Sequence, residues 1–138
     1  MEYNVNRYIE MLTLENQRQN LISRKNVAYE IDKHIEDSLK ITDLLDLTGE
    51  KLVDIGSGAG FPGMIIAIAC PQAEITLVES DHKKSQFLME VARELALTNV
   101  AVICARVEEL GQDSGYRGSF SLCSSRAVAS MNVLLEYG

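Results

Sequence analysis

Leu52-Val-Asp-Ile-Gly-Ser-Gly-Ala-Gly-Phe-Pro-Gly63 is the stretch on which the reading of this chain turns. Lys51 to Ile55 is a short β-rich run that leads directly into glycines, and Pro62 suits the first turn of a helix that ends before Pro71. Strand, loop and helix are therefore predicted in that order. A glycine turn between a first strand and its helix lets backbone pass close to a ligand, because glycine has no Cβ and tolerates positive φ. The spacing is Gly56-x-Gly58-x-Gly60, with Phe61 where the dinucleotide fingerprint needs a further glycine. No Lys-Ser or Lys-Thr pair closes this loop to make a nucleotide P-loop. Taken alone, such a loop fits a structural turn as well as a binding site.

Further along, Glu74-Ile-Thr-Leu-Val78 reads as a second strand, and Asp81 can cap a helix with Phe87, Leu88, Val91 and Leu95 on its apolar side. Val100 to Cys104 is a third strand. Phe120 to Cys123 is a weaker fourth, reached through a glycine-bearing loop from Gly111 to Gly118. Toward the N-terminus, Val5, Tyr8, Ile9 and Leu12 fall at helical spacing within one helix expected from Val5 to Ile22. Ile31, Ile35, Leu39 and Leu45 repeat the pattern from Ala28 to Leu45, and Thr48-Gly49 ends it. Strands alternating with helices predict an α/β fold, a Rossmann-like parallel sheet with helices on both faces. One domain over 1–138 is expected, with 1–48 as an N-terminal helical extension and 49–138 as the binding core.

Glu79 stands at the predicted C-terminal end of the second strand, where a carboxylate can accept hydrogen bonds from both ribose hydroxyls of an adenosine lying across the strand tips. Together with a loop that has no pyrophosphate to cradle, it suits S-adenosylmethionine, with the glycine turn wrapped around the methionine part. The competing reading of Glu79 is a solvated residue at a strand end. Arg106-Val-Glu108 follows the third strand, at the edge where adenine should lie, so Glu108 or the Val107 backbone can meet its amino group. Surface charge is the equal alternative there.

Composition limits the partners. The chain has 138 residues, 46% hydrophobic, with a net charge of −7 and a pI near 4.8, which excludes a broad basic face for nucleic acid. Arg18, Arg24, Lys25, Lys33 and Lys40 offer at most a local basic face among ordinary helix charges. Cys70, Cys104 and Cys123 are odd in number and embedded in apolar runs, which reads as reduced core residues and no metal site. The longest apolar run, Met64 to Cys70, is too short to cross a bilayer, so a soluble, cytoplasmic protein with no membrane partner is expected.

The wording of the chain resembles one family. Asn20-Leu21, His34-Ile-Glu-Asp37-Ser38-Leu39, Val53 through Gly63, Thr76-Leu-Val-Glu-Ser80 with Lys83-Lys84 and Phe87-Leu88 all carry the resemblance. So do Leu97-Thr-Asn-Val100, Arg106-Val-Glu-Glu109 and Ser125-Arg126-Ala127-Val128-Ala129. These are similar to the bacterial 16S ribosomal RNA guanine-N7 methyltransferases, also called the glucose-inhibited division protein B family, along nearly the whole chain. The resemblance implies a class I S-adenosylmethionine-dependent methyltransferase acting on N7 of one guanine in small-subunit ribosomal RNA. It implies Asp54, Gly56, Gly58, Gly60 and Phe61 at the methionine end, Glu79 at the ribose, Val107 and Glu108 at the adenine, and Arg126 beside cofactor and target base. His34, Asp37 and Ser38 would set the N-terminal helices against the site, His34 being either an RNA contact or a core histidine satisfied by Asp37 or backbone.

Three departures stand out. Phe120-Ser121 replaces the family's Phe-Asp, Asn20-Leu21-Ile22 replaces Asn-Leu-Thr, and the chain ends at Gly138 where the family continues through further strands. The C-terminal strands are thus expected to be missing, which leaves the fourth strand an exposed edge and a template for a homodimer. Other readings are a cofactor-binding remnant without transfer activity, a nicotinamide oxidoreductase that Phe61 disfavours, and a structural interaction module.

Overall fold

A computed structural model describes residues 1–22, 27–44, 46–106, 122–125 and 132–135, the last two segments as backbone only. Five strands form one sheet: β1 (Lys51–Ile55), β2 (Glu74–Glu79), β3 (Val100–Cys104), β4 (Leu122–Ser125) and β5 (Asn132–Leu135). Their order is β3-β2-β1-β4-β5, with every neighbouring pair parallel except β4 with β5. The first three strands carry the predicted sequence, β2 running one residue further to Glu79. The fourth lies two residues beyond its expected place, and the fifth was not expected. Since β5 pairs along the outer side of β4, the fourth strand is no edge, and the edge on which a homodimer was to form is covered. Among the described residues the sheet instead ends in β3 and β5.

Among the described residues four helices accompany the sheet: α1 (Glu2–Glu15), α2 (Val27–Leu44), α3 (Gly63–Ala69) and α4 (His82–Glu94). The crossovers through α3 and α4 step in the same direction, from β1 to β2 to β3, and right-handed connections then place both helices on one face. Consistent with this, α1 packs on both α3 and α4, and α2 packs on α3. Among the described residues the helices gather on that single face, so the expectation of helices on both faces is met there only by half. Its core is continuous from Tyr8 and Leu12 of α1 through Ile31 of α2 and α3, buried from Gly63 to Ile68, to Leu52, Ile75 and Leu77 of the sheet.

Local chemistry explains where the helices stop. The first ends at Glu15 and not at Ile22 because the buried Asn16 side chain accepts from Leu21 N and Ile22 N, both at 2.9 Å, offering these amides a partner outside the helical ladder. Asn99 does the converse for α3: its side-chain amide donates to the carbonyls of Ala67, Cys70 and Ala73 at 3.0–3.1 Å, closing the helix's C-terminal end. Cys70 is half-buried and Cys104 exposed, which corrects their expected place in the core; the Cys123 side chain lies outside the described residues.

Asp81 caps α4 as expected, accepting from Lys84 N at 3.0 Å. That bond holds its carboxyl below the ordinary value of 3.8. The cap's contribution is therefore complete above that value and fades as pH falls through the lower folded one. Asp81→Ala is expected to lower the melting temperature by roughly 3 °C at neutral pH. The variant and wild-type curves should converge as the pH falls below the lowered folded-state value; a gap that persists in acid would exclude the carboxylate as the cause.

Candidate functional site at the tips of the first two strands

Strand order reverses at β1, which has β2 on one side and β4 on the other. Open α/β sheets bind ligands beyond the carboxyl ends of their strands at such a switch point. The glycine loop is the segment that leaves β1 there. Three of its glycines hold positive φ, +70° at Gly56, +53° at Gly58 and +107° at Gly60, a region that side-chain-bearing residues rarely enter.

The loop is fastened from several directions. Gly56 N donates to Val78 O of β2 at 2.8 Å, and Gly60 N donates to Ser57 O at 2.7 Å. The Ser57 hydroxyl donates to Asp54 O at 2.9 Å. Gly58 N donates to one carboxylate oxygen of Glu79 at 2.8 Å, and Asp81 N donates to the other, also at 2.8 Å. The Tyr8 hydroxyl donates to Ala59 O from α1.

Each predicted site residue can now be placed. Gly56 and Gly58 sit on the accessible side, where an added Cβ would meet no atom within 4 Å at Gly56 and only Gly56 O, at 3.9 Å, at Gly58. Gly60 is buried. Glu79 is a 7% exposed carboxylate at the end of β2, next to the loop, with Cys104 of β3 opposite it in register. Asp54 is wholly buried, and its Oδ2 accepts from Gly63 N at 3.0 Å, tying the end of β1 to the start of α3. Phe61, expected at the methionine end, is also wholly buried, its ring 5.6 Å from that of Tyr8 and stacked 5.1 Å from His34. Both residues support the loop from beneath. Val107, Glu108 and Arg126 lie outside the described residues; Arg126 directly follows β4, whose last residue Ser125 is opposite Ile55.

His34 is half-buried, stacks on Phe61 and lies 3.8 Å from Glu30, one turn back. Ser38 is buried and donates to His34 O at 2.7 Å. Of the N-terminal cations, Arg18 pairs with Glu15 at 3.7 Å and Lys40 with Glu36 at 3.8 Å, the pattern of ordinary helix charges. A cleft of about 480 Å³ between the end of α1 and α4, walled by Glu15, Arg18, Gln19, Lys83 and Phe87 among others, contains none of the predicted site residues. Tyr8 was read from the sequence as a core residue only; its hydroxyl was the missed feature, and a lone polar atom in a helix's apolar stripe was its signal.

Comparison with known proteins bears on this geometry. The family model for rRNA small subunit methyltransferase G matches residues 1–138. The chain belongs to this family. It is 53% identical over 138 residues to the ribosomal RNA small subunit methyltransferase G of Syntrophomonas wolfei, covering all of this chain and 64% of that protein. It is 38% identical over 134 residues to the protein of the same name from Mycoplasma capricolum, covering 97% of this chain and 57% of that one. The chain thus spans about 60% of the length of these relatives. Among solved structures, MtNAS in complex with S-adenosylmethionine superposes with a TM-score of 0.58 at 18% identity, over 94% of this chain and 50% of that one. Coclaurine N-methyltransferase superposes with a TM-score of 0.50 at 20% identity, over 62% of this chain and 25% of that one. These likenesses establish a shared α/β fold. Among the described residues no helix is long and apolar enough to cross a membrane.

Proposed function

We propose that this chain binds S-adenosylmethionine at the glycine loop and transfers its methyl group to small-subunit ribosomal RNA, the substrate in the family's name, with N7 of a guanine as the acceptor. One observation carries the binding reading: the Glu79 carboxylate is bonded to Gly58 N at the mouth of a loop whose Gly56 Cβ position opens onto free space. A carboxylate oxygen has two lone-pair sites, so each oxygen of Glu79 can accept a ribose hydroxyl while keeping its backbone donor. Asp54 and Phe61 then serve the methionine end indirectly, by shaping the turn. Val107 and Glu108 are proposed at the adenine, and the 49–138 segment is the binding core to which the helical extension 1–48 is joined.

S-adenosylmethionine supplies an activated methyl on a sulfonium. Guanine N7 presents a lone pair and carries no proton to remove, so the protein's task is alignment, and no general base is assigned. Holding two reactants at near-attack distance contributes up to roughly 7–11 kcal/mol in favourable cases. Arg126 is proposed as the residue that orients the base, through guanine O6 or a phosphate. Arg126→Ala is expected to slow methyl transfer about tenfold while leaving cofactor affinity within about twofold; equal losses in both assays would contradict that division.

Calorimetric titration with S-adenosylmethionine, run beside methylation of undermethylated small-subunit RNA, tests the whole reading. Binding with transfer supports it. Binding without transfer favours the remnant reading. No binding removes both. The setting proposed is the cytoplasm, where small-subunit RNA is found. Among the described strands, an association of two copies through the sheet would use β3 or β5, since β4 is covered.

A further inference from the structure

We propose that Tyr8 is a positioning residue for the cofactor: from α1 its hydroxyl fixes the Ala59–Gly60 peptide and so holds the glycine loop in its binding shape. The proposal rests on the S-adenosylmethionine reading above. Ala59 lies between two glycines with positive φ, +53° at Gly58 and +107° at Gly60. Glycine populates either sign of φ at little cost, so a peptide plane in such a run can turn over unless both of its polar groups are engaged. Here both are. The Gly60 N–H donates to Ser57 O at 2.7 Å, and the carbonyl of the same peptide accepts from Tyr8.

The donor is as well fixed as the acceptor. Tyr8 is wholly buried, and its ring lies 5.6 Å from that of Phe61 at 43°, so the hydroxyl has one direction in which to point. Ala59 is 5% exposed, which leaves its carbonyl little access to water if Tyr8 withdraws. Turning that peptide over would carry the Gly60 N–H away from Ser57 and shift Gly58, whose own amide is the one that engages Glu79. A hydroxyl on the N-terminal helix thereby acts on the two groups proposed to meet ribose and methionine, without touching either ligand part.

Tyr8→Phe removes the hydroxyl and keeps the ring packing, so the variant is expected to fold. Its dissociation constant for S-adenosylmethionine is expected to rise about five- to tenfold. Exchange of the Gly60 amide in the ligand-free protein should quicken about tenfold. Ile9→Ala, a truncation of a half-buried core residue one position on, is expected to lower the melting temperature at least as much while leaving the dissociation constant within about twofold. A Tyr8→Phe affinity within twofold of wild type overturns the proposal, as does an Ile9→Ala affinity loss equal to that of Tyr8→Phe. If the wild-type chain fails to bind S-adenosylmethionine, the cofactor reading falls by itself. Gly60 exchange then still judges Tyr8: unchanged protection in Tyr8→Phe overturns its loop-holding role, and faster exchange upholds it.

Discussion

Gly60→Ala is expected to lower the melting temperature by about 10 °C and to abolish S-adenosylmethionine binding. The position combines two penalties. Its φ of +107° lies where L-residues are strained, costing roughly 1–2 kcal/mol. An added Cβ would also press on the Tyr8 hydroxyl and come within 3.1 Å of both Leu88 and Met64, and overpacking of this kind costs roughly 1–3 kcal/mol more. Together these take about 3 kcal/mol from a domain whose total stability is of order 5–15 kcal/mol. Gly56→Ala provides the contrast, since its Cβ meets no atom within 4 Å and only the φ penalty remains. Its loss should appear chiefly in ligand affinity, because the new methyl would occupy the space proposed for the cofactor. Circular dichroism melts of the two variants decide the matter: a Gly60→Ala melting point within about 3 °C of wild type would show that the loop is not held as described.

Glu79→Gln carries the second large effect, an expected loss of about 100-fold in S-adenosylmethionine affinity. The carboxylate accepts one backbone donor on each oxygen, Gly58 N and Asp81 N, and is almost fully enclosed. Glutamine has a single oxygen, so its amide NH2 must face one of those two N–H groups, leaving a buried donor opposed by another. Bonds to charged acceptors contribute roughly 1.5–3 kcal/mol each, and the ribose hydroxyls lose the same acceptor. Calorimetry on Glu79→Gln beside Glu79→Asp separates charge from reach. An affinity within threefold of wild type for Glu79→Gln would remove Glu79 from the site.

How far these features were legible before the structure depends on the range of the interactions behind them. Strands β1 and β3 fall where their β-branched runs place them, and β2 overran its expected end by one residue. The Asp81 cap is read from a side chain three residues from its donor. Long-range partnerships were not readable. Phe61 follows the glycines and was assigned to the cofactor, yet its neighbours Tyr8 and His34 come from helices far earlier in the chain and enclose it. Asn16 and Asn99 look like ordinary polar residues until the backbone groups they satisfy are seen. The fourth strand slipped by two residues because Phe120 to Ser125 holds too few apolar positions to fix a register. Val107, Glu108 and Arg126, named from resemblance, lie outside the described residues.

The placement of α1 has a consequence for the order in which the chain acquires its shape. Its links reach 51 residues forward to Ala59 and 87 residues forward to Glu94. A helix of 14 residues is marginal in water without tertiary partners. This segment is synthesised before the elements it packs on and is therefore among the last to be secured, because it must wait for α3 and α4 before its apolar face has anything to cover. Contacts of such high sequence separation form late and slowly. Ligand binding at the glycine loop then reports a completed fold, and a growing chain that has made the loop but not yet α4 holds the right residues without the means to keep them in place.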